Sequence, residues 1–144
     1  MDNQEFKPKI LVFSTNKISD PGIDLAGLLK MHYPSTVYVI PVPCSSMIKP
    51  KWILHALKSG FDGVFVAADG TDCPYLPTCT EKTATNVSDA QKLIEENGGS
   101  TARVRMAAIC SVCAEPFVNH MKNFYNILLS MEPAEVELNK KKGA

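Results

Sequence analysis

The side chains best suited to chemistry in this chain are five cysteines, Cys44, Cys73, Cys79, Cys110 and Cys113. Thiolates are nucleophiles and soft metal ligands, so each could serve redox, metal or covalent chemistry. Cys110 and Cys113 form a CxxC pair, a spacing that lets two sulfurs share one metal or close a redox disulfide. An odd number of cysteines, with a polar MDNQEFKPK start and no signal-peptide pattern, argues against a secreted disulfide framework. A single cysteine is more often a packed hydrophobe than a ligand. Cys79, at the start of a helical stretch, is read that way. What would lift the other four above that reading is convergence, and convergence depends on the elements that carry them.

The chain alternates between short apolar runs and amphipathic stretches. Lys9–Thr15 is a β-rich apolar run that predicts a central strand. Asp20-Pro21 sets up a helix start, Ile23, Leu25, Ala26, Leu28, Leu29 and Met31 give a broad apolar face, and Pro34 closes it. Thr36–Val42 is the second strand; Pro41 and Pro43 donate no hydrogen bond, which places it at a sheet edge. Pro50 opens a second helix that Gly60 ends. Val64–Ala68 then reads as a strand buried on both faces, running out through Asp69-Gly70-Thr71-Asp72 to Cys73. Thr80–Asn97 is a third helix, Arg103–Ile109 a fourth strand, and Ala114–Met131 the last helix. Residues 1–8 form a lead-in, 9–131 the domain, and 132–144 a charged tail or docking strap.

This βαβαβαβα order with short connections predicts an α/β, flavodoxin-like three-layer sandwich: a four-stranded parallel sheet of order 2-1-3-4 with helices on both faces. Cys44 then follows strand two, Cys73 strand three, and Cys110 and Cys113 strand four. All four reach the carboxyl edge, where open α/β sheets bind ligands. Strands lie about 4.8 Å apart, so Cys44 starts roughly 10 Å from Cys73 and must curl over strand one to join the others.

The candidate chemistries can be separated. A structural zinc site usually needs two ligand pairs, and His32, His55 and His120 have no partner spacing. A thioredoxin-like centre fits the strand-to-helix position of Cys110–Cys113, but no Trp precedes the pair and Pro116 follows it. The stretch after strand one lacks the glycines of a phosphate loop, and Asp69 has no acidic partners there. An iron–sulfur cluster needs four thiolates, and four are available at one edge. Fifteen basic and fifteen acidic residues cancel, so no global field recruits nucleic acid or an anionic membrane. Only Arg103 and Arg105 offer planar forks for phosphate or carboxylate. No apolar run approaches the roughly 20 residues of a membrane span, and a cytoplasmic location is expected.

With these segments in place, the sequence resembles the delta subunit of methyl-viologen-reducing hydrogenase. The resemblance runs from about Lys9 to Ser130. It is clearest in DPGIDLAGLLKMHYPSTVYVIPVPCSSMIKP and ILHALKSGFDGVFVAADGTDCPY. It implies a small subunit that carries a [2Fe–2S] cluster and passes electrons between a hydrogenase or formate dehydrogenase and a flavin- and iron–sulfur-containing heterodisulfide-reductase A-like subunit. Of the ligands the resemblance implies, Cys44 and Cys73 match. The positions after strand one are filled within Phe13–Ile18, Asp69 stands at another cysteine position, and Pro74 replaces a histidine. The expected ligand set is therefore Cys44, Cys73, Cys110 and Cys113, the last two as replacements. A cluster-free adaptor of the same complex and a CxxC dithiol module are the alternatives.

Overall fold

The computed structural model describes residues 7–15, 19–32, 36–68, 79–109, 114–134 and 136–138, leaving aside the side chains of 19–22 and 79–80. Among the described residues four strands, β1 (Ile10–Thr15), β2 (Val37–Val42), β3 (Gly63–Ala68) and β4 (Val104–Ala108), alternate with four α-helices. The helices are α1 (Ser19–Leu28), α2 (Pro50–Lys58), α3 (Cys79–Glu96) and α4 (Ala114–Leu129). The sheet is parallel with order β2-β1-β3-β4, as the sequence predicts.

Burial explains that order. All six residues of β1 and all six of β3 are buried, which suits strands with a neighbour on each side and helices on both faces. The strand bearing Pro41 takes an edge, where the missing N–H breaks no ladder between strands. Alternation then divides the core. Leu11, Phe13, Val64 and Val66 face α2 and α3, while Ile10, Val12, Phe65 and Ala67 face α1 and α4. Gly63 opens β3 because α4 passes directly over it: a Cβ there would lie 2.6 Å from Phe124 and 2.7 Å from Leu128.

The first two helices end in different ways. α2 stops at a 6→1 bond from Phe61 N–H to Ala56 C=O, with Gly60 at φ 116°. α1 stops earlier than its apolar pattern predicts. Met31 N–H bonds Ala26 C=O and Lys30 N–H bonds Gly27 C=O, with Lys30 itself at φ 56°. Leu28 and Leu29, expected on the buried face, are instead 79% and 60% exposed. His32 lies beyond the helix end.

At the amino-terminal edge a polar network joins distant segments. The Arg103 guanidinium is wholly buried. It donates to Asp62 C=O (3.0 Å), to Glu132 C=O and to both carboxylate oxygens of Glu137 (3.2 and 3.1 Å). The Asp62 carboxylate accepts from Lys9 N–H at 2.9 Å and Ala134 N–H at 3.0 Å. The segment after α4, expected as a tail or strap, thus folds back, and Ala134 and Leu138 are buried in the α2–α3 layer. Arg103, read from sequence as a possible fork for an external anion, has its fork occupied by the protein.

Candidate functional site

The registers place the carboxyl ends of the strands level. Thr15 pairs with Val42, Ser14 with Ala67, and Ala68 with Ala108. Ser14, Thr15, Ala67 and Ala68 are all essentially inaccessible, so both central strands end in small buried side chains. Small groups there leave room above the sheet for the loops that follow. Ile109 N–H continues the ladder to Ala68 C=O at 2.9 Å, carrying the chain to the same edge immediately before Cys110.

Cys44 is the one expected ligand among the described residues, and the turn that follows it leaves β2. Past Val42 the chain enters a short 3-10 turn, Ser45–Met47, closed by Met47 N–H to Cys44 C=O and Ile48 N–H to Ser45 C=O, both 3.2 Å. This turn does not stay beside β2. It contacts β1, β3 and, most extensively, α3. Ser45 is fully buried, with its hydroxyl 2.7 Å from that of Thr83. Asn86 Nδ2 donates to Ser46 C=O at 3.0 Å. Ile48, 1% exposed, anchors the far side in the core. The loop after β2 has therefore curled across β1 to the helix that follows the Cys73 loop in sequence. Cys44 itself is half-buried, with Sγ 3.1 Å from Ser46 Oγ; either atom can donate.

Cys73, Cys110 and Cys113 lie outside the described residues. The described chain brings their flanks to one edge: Ala68 is five positions before Cys73, Ala108 two before Cys110, and α4 begins directly after Cys113. Among the described residues no three His, Cys, Asp or Glu side chains form a metal-sized group. What is described of the donor set suits a soft thiolate-bound group: the half-buried Cys44 sulfur has the Ser46 hydroxyl beside it, at an edge where both central strands end in small residues. His120 packs against Phe65, ring centres 5.5 Å apart, and is not at that edge.

Sequence reasoning missed Ser45, Ser46, Thr83 and Asn86. A signal existed for the last two, which sit three apart on α3 and so share a face. Beside them Ser46, Glu81, Lys82, Thr85 and Asn86 line an open groove of about 500 Å³. No helix of the described residues is long and apolar enough to cross a membrane.

Comparison with known proteins agrees along nearly the whole chain. Residues 10–132 match a family model described as methyl-viologen-reducing hydrogenase, delta subunit. The chain is 32% identical over 137 residues to the iron-sulfur D subunit of the F420-non-reducing hydrogenase vhc of Methanococcus voltae, covering 94% of each. It is 32% identical over 136 residues to the iron-sulfur D subunit of the F420-non-reducing hydrogenase of Archaeoglobus profundus, covering 94% of this chain and 98% of that one. It is also 33% identical over 132 residues to the A subunit of the ferredoxin:CoB-CoM heterodisulfide reductase of Methanosarcina mazei. There the match spans 91% of this chain but only 16% of the longer protein.

Proposed function

The chain belongs to the methyl-viologen-reducing hydrogenase delta-subunit family, and from that premise we propose that it is a small cytoplasmic electron-transfer subunit of a heterodisulfide-reductase-type complex. It passes electrons between an input or output subunit, such as a hydrogenase or formate dehydrogenase, and a flavin- and iron–sulfur-containing subunit of the heterodisulfide reductase A kind. The names of its relatives support both ends of that path: hydrogenase D subunits on one side, and on the other a heterodisulfide reductase chain that contains a similar segment.

Cys44, Cys73, Cys110 and Cys113 would hold a [2Fe–2S] cluster. Such a group supplies one-electron transfer at a potential set by ligand charge, burial and hydrogen bonds to sulfur. The observation that carries this reading is the curl of the loop after Cys44 onto α3, since a loop that stayed beside β2 would hold its thiol about two strand spacings, roughly 10 Å, from the end of β3. The chain's own part is positional. Ser45 and Asn86 fix the loop, and Ser46 stands ready to donate to the sulfur. A cluster-free adaptor is the second reading, favoured by Asp69 and Phe13–Ile18 at ligand positions of the resemblance.

Anaerobic purification of the tagged chain from its own host, with identification of the chains that accompany it, tests the assignment. A hydrogenase-type or heterodisulfide-reductase-type partner is expected. A chain that purifies alone, or only with proteins of other classes, would overturn it.

A further inference from the structure

The sheet is covered unevenly. The α2 side of the sheet buries Leu11 and Phe13 of β1 and Val64 and Val66 of β3, but on β2 it buries Val42 and leaves the residues before it uncovered. Tyr38 and Ile40 lie beside Leu11 and Phe13 in register and point to that side, yet they are 49% and 45% exposed. Trp52 on α2 is 42% exposed, and Met47, on the turn after Cys44, 44%. An apolar groove of about 400 Å³ runs along Leu11, Phe13, Trp52, His55, Ala56 and Phe61. The Tyr38 ring meets Phe61 edge-on at 5.7 Å, which joins the groove to the exposed strand face. Contiguous exposed apolar surface of this kind marks an interaction site.

Charge identifies the occupant. The whole chain is neutral, but no Asp or Glu occurs between Asp24 and Asp62. Lys49, Lys51 and Lys58 fall in that stretch and are exposed. On α2, Lys51, His55 and Lys58 form one helical row next to the row of Trp52, Ala56 and Ser59 that lines the groove. Among the described residues none of these lysines is in an ion pair; the pair found is Arg103–Glu137. An apolar groove with a cationic flank fits an apolar ridge with a carboxylate flank. A second copy of this chain does not fit, because a two-fold contact would set Lys51 and Lys58 against their own kind. Addition of a strand to β2 does not fit either, because Pro41 and Pro43 lack the N–H groups that such pairing needs.

We infer that the Tyr38–Ile40–Trp52 face is the docking surface for another protein of the complex, which inserts an apolar helix or loop edged with Asp and Glu. This rests on the reading of the chain as one member of a redox complex, and it adds the surface by which the chain is held. The surface also has a consequence for electron flow. Ile40 is four residues from Cys44, about 13 Å along an extended strand, and Met47, three residues past that cysteine, is also exposed. A partner seated here comes up to the Cys44 side of the sheet edge.

The test compares hydroxyl-radical footprints of the isolated chain and of the complex purified anaerobically from its host, with every chain in that complex identified. Oxidation of Tyr38, Met47 and Trp52 should fall roughly 5-fold or more in the complex, as expected for side chains buried at an interface centre. Exposed Leu28 and Leu29 serve as internal references. Trp52→Ala should weaken partner binding about 10-fold or more. The surface variant Lys51→Glu/Lys58→Glu should weaken it comparably at low salt and less at high salt. If a hydrogenase-type or heterodisulfide-reductase-type chain is present and the face stays fully reactive, the inference is overturned and the assignment to the complex stands. If a protein of another class protects the face, the surface is upheld and the assignment falls. Isolation of the chain alone, a homodimer that buries Trp52, or lysine-dependent binding to phosphatidylserine vesicles would each overturn the inference.

Discussion

Replacing Arg103 with Met removes the hub of the amino-edge network while keeping most of the side chain's volume. Three groups lose the guanidinium: the Asp62 and Glu132 carbonyls, and the Glu137 carboxylate, which keeps the Ser100 N–H on Oε1. Removing one partner of a buried ion pair typically costs about 3–5 kcal/mol, because the other charge is left desolvated. Here Glu137 remains 17% exposed and can recover some water, so the lower end, about 3 kcal/mol, is expected. At ~2.1 cal/mol/K per residue, this 144-residue chain has an unfolding entropy of about 0.3 kcal/mol/K, so Tm should fall by about 10 °C. Thermal and urea melts followed by far-UV circular dichroism read this directly. Arg103→Lys should recover only part of the loss, since an ammonium cannot bridge three acceptors with the geometry of the fork. The double variant Arg103→Met/Glu137→Leu should show a coupling of roughly 1–3 kcal/mol. A Tm loss below about 3 °C for Arg103→Met, or no coupling, would refute the claim that this network ties residues 132–138 to the domain.

Gly63→Ala should destabilise by about 1–3 kcal/mol, because its Cβ would collide with Phe124 and Leu128 of α4. Gly27→Ala, with nothing within 4 Å on an exposed helix face, should stabilise by roughly 0.5–1 kcal/mol; the same melts check both. Ser45→Ala removes the buried 2.7 Å contact with Thr83 and should cost about 1–2 kcal/mol while speeding alkylation of Cys44, as mass spectrometry will report. In cluster-loaded protein, Ser46→Ala should lower the reduction potential. A lost hydrogen bond worth about 1 kcal/mol in the reduced state corresponds to roughly 40 mV for one electron, and a redox titration with no shift would remove Ser46 from the account.

The sheet was legible in sequence because its signals are local. Two short, continuous, β-rich apolar runs read as buried strands, and Pro41 with Pro43 placed theirs at an edge. The α1 terminus was not legible. Its turn uses a lysine in the left-handed region where glycine is the usual signal, so Leu28 and Leu29 looked core-facing and are not. Arg103 was misleading for a different reason. Its partners are 29, 34 and 41 residues away, and no periodicity reports contacts of that range. The candidate site divides in the same way. That Cys44 follows an edge strand could be read from spacing; that its loop leaves the edge for α3 depends on Ser45 meeting Thr83, 38 residues later. The exposed face of β2 was not legible either, since an edge position does not report whether a helix covers Tyr38 and Ile40.

Iron and acid-labile sulfide content of the anaerobically purified chain, measured beside the Cys44→Ser variant, tests the central claim most directly. The account predicts about two iron and two sulfide per chain, with most of both lost in the variant. Less than about one iron per chain, or full retention without Cys44, would contradict a cluster held by Cys44, Cys73, Cys110 and Cys113.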